Sequence, residues 1–403
     1  MPYSYRSRRA PSGGTRQAYH AVPNKRNRGR GPRRGDYIDP ARFIQAAKPR
    51  EAAVYTPTHQ FADFAIDPII KRNIEFRGLV TPTPIQDQTI PEGLLGKDIV
   101  GIANTGTGKT IAFAIPVIER LLAEPSSRAL IMAPTRELAQ QIMEEMRSLT
   151  KGAKIWSALL IGGNAMGPQL RDLRSNPRLV VGTPGRIKDH IERRTINLLH
   201  FNMVVLDEVD RMLDMGFIHD MRTILERMGK PRQSFFFSAT MNREVSDLIA
   251  TFAATPLTIS VKTGESSDNV EQDVVRYISK EQKLEKLHDV LIDQSVNKVL
   301  VFDETQRSVE RLHKELESRG FTAAAIHGGK TQGQRRRALE MFKKNDVRIL
   351  VATDVAARGI DVSDITHVIN YSVPTSYEDY VHRIGRAGRA GRLGFALTFV
   401  EGQ

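Results

Sequence analysis

Two stretches of the chain combine residue types and spacings that could handle a nucleoside triphosphate. From Ile99 to Thr110 a short apolar run ends in a glycine-rich turn and then Lys109-Thr110, ahead of the helix-compatible IAFAIPVIERLL. Gly106 and Gly108 keep the backbone N–H groups of Gly106, Thr107 and Gly108 open to phosphate oxygens. Lys109 can reach the β and γ phosphates, and the Thr110 hydroxyl can ligand Mg²⁺. The general phosphate-loop pattern has a fifth-residue-earlier glycine where this chain has Ala103, so a plain glycine turn between strand and helix is the competing reading. Further on, the apolar run MVVLDE ends in Asp207-Glu208. An acidic pair at the carboxyl end of a buried parallel strand lies where such sheets bind ligands. There Asp207 would hold Mg²⁺ and Glu208 would orient or deprotonate an attacking water. The alternative is an acidic opening to the following helix, VDRMLDMG, favoured by the helix dipole.

These residues need a scaffold that places strand ends side by side, and the rest of the chain supplies its pattern. Apolar runs of strand length recur at 129–134, 179–184, 203–208 and 234–240, separated by helix-like segments. Strands alternating with helices imply βαβ units and a parallel sheet covered on both faces. The polar stretch 261–272 reads as an interdomain linker, after which the alternation restarts with KVLVFDET, AAAIHGG, RILVATD, HVINYSV and FALTFV. The expected organisation is a tail and linker over 1–57, an α/β domain over 58–262, a linker over 263–272 and a second α/β domain over 273–403. Residues 36–57 read as linker with a short helix around Ala41 to Ala47.

Composition narrows the chemistry. The 403 residues contain no cysteine, which removes disulfides and Cys-based zinc sites. No 18-residue apolar span is present, so no transmembrane helix and no membrane partner are expected. The net charge of +13 is concentrated in residues 1–35, which hold ten Arg or Lys and no acid. That tail mixes Arg with Gly, Pro, Ser and Tyr and cannot pack a core, so disorder is expected. Arg with interleaved Tyr neutralises phosphates and stacks on bases, which favours nucleic-acid contact; a transit peptide, a nuclear signal and an inert solvated end are the rivals.

Taken together, the motifs resemble those of a DEAD-box ATP-dependent RNA helicase. Phe61, PTPIQ (82–86), ANTGTGKT (103–110), PTREL (134–138), Gly162-Gly163, TPGR (183–186), DEVD (207–210), SAT (238–240), ATDVAARGID (352–361) and HRIGRAGR (382–389) follow in the family's order. The resemblance implies two tandem RecA-like domains, ATP and Mg²⁺ as cofactors, and single-stranded or short duplex RNA as partner. It implies that Gln86 reads adenine while Phe61 stacks on it, and that Thr105, Gly106, Thr107, Gly108, Lys109 and Thr110 form the phosphate loop. Thr110 and Asp207 would hold the metal, and Asp361 would meet the ribose. Glu208, Lys109, Arg386 and Arg389 would be catalytic, the two arginines as fingers from the second domain. RNA phosphate and sugar would fall to Thr135, Arg136, Gly163, Thr183 and Arg186, joined by Arg335 and Thr353 of the second domain. Ser238, Thr240, Asp210 and His382 would couple hydrolysis to domain closure.

One departure is Val209, where the family's tetrad has Ala. Two extra carbons beside the catalytic carboxylates lead us to expect a slightly lower rate. The chain ends at Gln403 directly after the last expected strand, so no C-terminal specificity domain is expected. The expected protein is a monomeric enzyme of a bacterial cytoplasm that hydrolyses ATP on RNA. The alternatives are a non-catalytic RNA-binding or annealing protein and a DNA translocase.

Overall fold

The computed structural model describes residues 38–47, 55–104, 106–253, 255–261, 269–357, 362, 364–388 and 392–402. The basic tail 1–35, Thr105, Asp361 and Arg389 lie outside the described residues.

The first sheet contains β1 (Ile99–Ala103), β2 (Ala129–Met132), β3 (Ser157–Leu160), β4 (Leu179–Gly182), β5 (Met203–Leu206), β6 (Gln233–Ser238) and β7 (Leu257–Val261). Its order is β3-β4-β2-β5-β6-β1-β7, with every pairing parallel. The second contains β8 (Val270–Tyr277), β9 (Val299–Phe302), β10 (Ala323–Ile326), β11 (Ile349–Ala352), β12 (His367–Asn370) and β13 (Gly394–Glu401). It is also parallel throughout, in the order β10-β11-β9-β12-β13-β8.

Strand residues alternate between two cores because successive side chains point to opposite faces. Ile99, Ile131, Val205 and Phe235 enter one apolar layer of the first domain, while Val100, Leu130, Val204 and Phe236 enter the other. In the second domain Leu300, Leu350 and Val368 face one layer, and Val299, Val301 and Ile369 the other. Both faces of each sheet are thereby buried, as the unbroken apolar runs require.

Parallel order brings the carboxyl ends of the strands to one edge. β5, β6 and β1 are neighbours, so the turns after them share one half of the first domain's edge; β2 and β4 share the other half. The motifs expected to meet ATP and those expected to meet RNA therefore sit on one rim.

Three strands differ from the sequence-based expectation. β3 is only four residues long and half of it is partly exposed. β7 is an edge strand whose outward residues are exposed. β8 places Val270, Gln272 and their partners in register with β13, so the interdomain linker read over 263–272 stops before residue 270. Its exposed Glu271 and Asp273 gave this stretch a polar appearance that charged edge strands commonly have. The linker reading of 36–57 also fails in part. Pro40–Phe43 form a 3₁₀ turn, Gln45 makes an antiparallel bridge to Gln272, and the buried Ile38 and Phe43 join a core layer of the second domain. The helix expected around Ala41 to Ala47 is limited to that turn.

Candidate nucleotide and nucleic-acid site

β1 runs into the glycine turn, and the helix Lys109–Ala123 starts directly after it. Its positive N-terminal end faces the loop, where anions are favoured. Gly108 has φ +92°, and a Cβ there would stand 2.3 Å from Gln86 Nε2, so only glycine lets the loop approach this amide. The Gln86 amide donates to Gly108 O at 3.0 Å, and Gln86 Oε1 accepts from Thr83 N at 2.9 Å. Thr83 Oγ1 donates to Thr107 O at 2.8 Å. Gln86 is thus fastened to the phosphate loop, which leaves its amide a second N–H and its oxygen a second lone pair for a base. Phe61 is buried in the first core, edge-on to Phe64, and forms one wall of a cavity of about 130 Å³ shared with Lys71, Leu79 and Val80.

Lys109 is buried, and its Nζ donates to Ala103 O at 2.9 Å. Beyond β5, Asp207 is buried too, and its Oδ1 finds no hydrogen-bond donor among the described residues. Burial pushes its carboxyl up to about 6 against the pull of Lys109, and the neighbouring Glu208 adds to the rise. An orphaned carboxylate oxygen beside the phosphate loop is what a divalent cation would satisfy, so Asp207 and Thr110 fit Mg²⁺. Mg²⁺ usually keeps several waters and takes one or two protein groups plus substrate phosphates, which a site of this kind suits.

Glu208 adopts a left-handed backbone, φ 57° and ψ 55°, an uncommon state for a non-glycine residue. Its Oε2 accepts from Arg211 Nη1 at 2.9 Å in a buried ion pair. The spacing of three along the chain was visible in sequence, but Arg211 was not singled out there.

Val209 is fully buried and points into the apolar layer that holds Met212, Phe236 and Val245. The expectation of crowding beside the carboxylates is therefore corrected, because the two extra carbons enter the core. Val209→Ala should lower stability by about 1–3 kcal/mol through the cavity it leaves, with turnover per folded molecule unchanged. Urea unfolding together with ATPase assay checks this; a changed turnover at unchanged stability would contradict it.

Asp210 links this cluster to the end of β6. Its Oδ2 accepts from Ala239 N and Thr240 N, each at 2.9 Å, and from Thr240 Oγ1 at 3.1 Å. Burial raises its pKa, but Lys109, the Thr240 N–H and Arg211 outweigh burial and hold the carboxyl below its ordinary value. Ser238 is buried at the strand end.

The other half of the rim carries the β2 and β4 turns. Thr135 caps the helix Arg136–Leu149 through Leu138 N. Gly163 has φ +76°, and a Cβ there would stand 2.0 Å from Arg136 Nη1; the glycine pair makes room for this guanidinium. Arg186 Nη1 donates to Asn164 O at 3.3 Å, so Arg136 and Arg186 flank one loop, with Thr183 at the start of the Arg186 helix.

Arg335 Nη2 pairs with Glu137 Oε2 at 2.8 Å, and both side chains are buried. Gln332 Nε2 reaches Glu137 Oε1 at 3.2 Å and Gln140 Oε1 at 3.0 Å. Arg335 thereby makes a contact between the domains. Glu137 belongs to PTREL and Gln332 to the QGQR turn, but their contact could not be read in sequence because the partners are nearly two hundred residues apart.

Thr353 follows β11 and is buried. His382 and Arg386 lie on and just after the helix Tyr377–Ile384 and, with Arg383, Asp354 and Phe302, line one small pocket. Arg383 donates to Asp354 through Nε and Nη2, at 2.6 and 2.7 Å, and through Nη1 to Ser372 O at 2.7 Å. Burial, aided by Arg211 and opposed by Asp210, pushes His382 down to about 4, so its imidazole is neutral near pH 7. Besides Arg386 of its own domain, it feels Arg211, Asp210 and Glu208 of the first, so His382 faces that cluster.

A family model described as DEAD/DEAH box helicase matches residues 83–248, and one described as helicase conserved C-terminal domain matches residues 282–391. Over 343 residues the chain is 44% identical to the ATP-dependent RNA helicase CshA of Listeria monocytogenes, covering 85% of this chain and 66% of that protein. It is likewise 44% identical to the DEAD-box ATP-dependent RNA helicase CshA of Bacillus subtilis, covering 85% of this chain and 70% of that one. The fold matches S. cerevisiae Dbp5 bound to RNA and ADP BeF3 with a TM-score of 0.74 at 28% identity, covering 85% of this chain and 90% of that chain. The chain thus spans about two thirds of the length of the first curated relative.

Proposed function

The chain belongs to the DEAD-box family of ATP-dependent RNA helicases, and we propose that it hydrolyses ATP as its two domains close on single-stranded RNA, prying apart short duplexes and remodelling RNA–protein complexes. The observation that carries this reading is the buried cluster of Lys109, Asp207, Glu208 and Asp210 at one strand edge, faced by His382 from the second domain.

In this reading the N–H groups of the phosphate loop and Lys109 hold the triphosphate, while Gln86 and Phe61 select adenine. Thr110 and Asp207 would hold Mg²⁺, which would supply positive charge against the phosphate oxygens. Glu208, aimed by Arg211, takes the proton of the attacking water as its oxygen bonds to the γ phosphorus and ADP leaves. Arg386 brings charge to the transferring group only when the second domain is closed. Asp210 couples the event to the closure, since it fixes the backbone after β6. Arg136, Arg186, Thr135 and Thr183 contact phosphate and sugar from the first domain and Thr353 from the second. The curated relatives are bacterial, which supports a bacterial cytoplasm; among the described residues no helix is long and apolar enough to cross a membrane.

Hydrolysis measured without nucleic acid, with RNA and with DNA tests the proposal. RNA should stimulate strongly and DNA weakly, because 2′-hydroxyl contacts separate the two. Equal rates in all three conditions would reject RNA dependence, and equal stimulation by DNA would favour a DNA translocase.

A further inference from the structure

The residues just ahead of the first domain pack on the second. Phe43 is fully buried, with its ring centroid 4.7 Å from that of Tyr380, and Ile38 enters the same core layer. The Arg42 guanidinium lies 3.9 Å above the Tyr377 ring. Gln45 and Gln272 exchange backbone hydrogen bonds, each 2.9 Å, on the outer edge of β8. The Gln272 side chain in turn accepts from Tyr380 Oη at 2.8 Å. The Phe43, Arg42 and Gln272 side-chain contacts meet the helix Tyr377–Ile384 at Tyr377 and Tyr380, which are three apart and so share one face. The opposite hold on this helix is the Arg383–Asp354 grip.

A few residues later the chain is anchored to the first domain. Asp87, next to Gln86, accepts from Tyr55 Oη at 2.5 Å, Thr58 N at 2.7 Å and His59 N at 3.1 Å. The chain therefore passes between the domains twice, once here and once between β7 and β8.

We propose that residues 38–45 form a strap belonging structurally to the second domain, and that Phe43 is a positioning residue holding the helix Tyr377–Ile384, and with it Arg386, in the orientation hydrolysis requires. Without the ring, the Tyr380 side of the helix loses its aromatic support and rests on the Gln272 hydrogen bond and the Arg42 contact, so the segment bearing Arg386 is held less firmly in its approach to the γ phosphate. An interaction made only in the transition state is then weakened, so the loss falls on kcat rather than on ATP binding. The proposal rests on the arginine-finger reading of Arg386, which turnover of Arg386→Ala tests separately.

Steady-state kinetics on full-length variants decides the matter. Phe43→Ala should lower kcat at saturating RNA by about tenfold or more with KM for ATP within about twofold of the parent, and Phe43→Leu, which refills most of the volume, should recover most of the rate. The chain has no cysteine of its own. Gln45→Cys with Gln272→Cys therefore offers a single reversible lock, since hydrogen-bonded antiparallel partners stand about 5.5 Å apart at Cα, within disulfide range. The oxidised, locked protein should turn over ATP on RNA as fast as the same protein reduced. Parent-like kcat in Phe43→Ala, a loss carried in KM, no recovery in Phe43→Leu, or arrest by the disulfide would each overturn the proposal.

Discussion

Replacing Arg386 with alanine is expected to cut RNA-saturated ATP turnover by about 10³-fold or more, the usual loss when a transition-state arginine is removed. The residue is buried just beyond the helix Tyr377–Ile384, in the pocket shared with His382 and Arg383. That pocket belongs to the second domain, while the phosphate loop and both carboxylates belong to the first. The positive charge therefore reaches the γ phosphate only across the domain boundary. Equilibrium binding of ATP without RNA should stay close to the parent's value, because the open form makes no use of this contact. Turnover within tenfold of the parent would remove Arg386 from the hydrolytic step.

The second large effect is at Glu208. Glu208→Gln keeps the shape and the neutral hydrogen-bonding capacity of the side chain but cannot take a proton, and loss of a general base costs about 10²–10⁴-fold. The amide also exchanges the buried ion pair with Arg211 for a weaker hydrogen bond. ATP and RNA should both still bind, so the variant should accumulate as a long-lived complex with unhydrolysed nucleotide. Single-turnover hydrolysis and RNA-retention assays read the two consequences. A variant that hydrolyses at near the parent rate would mean another group accepts the proton.

What could be read in sequence and what could not follows from distance along the chain. The phosphate loop, Asp207-Glu208 and the alternation of apolar strands are local patterns, and the parallel sheets place them together as local rules require. The outward charges of β8 made an edge strand resemble a linker, and Ile38 and Phe43 lay among scattered apolar residues with no period to mark them. The pairing of Arg335 with Glu137 depends on one domain meeting the other, which no window of sequence contains. Val209 carries the same lesson at shorter range. Its neighbours in the chain are the acidic Glu208 and Asp210, yet the turn after β5 sends its side chain to the core while Glu208, in a left-handed conformation, is held by Arg211.

If the two domains close on ATP and RNA as proposed, closure should be dominant only when both are bound. Glu226 and Ser318 are exposed, one in each domain, and apart from the motifs discussed above. Cysteines introduced at these two sites in the cysteine-free chain can carry a donor and an acceptor dye. Single-molecule energy transfer on Glu208→Gln labelled this way should show one broad, low-population closed state with ATP alone or RNA alone, and a dominant, long-lived closed state with both. An identical distribution under all three conditions, or full closure with ATP alone, would contradict the account.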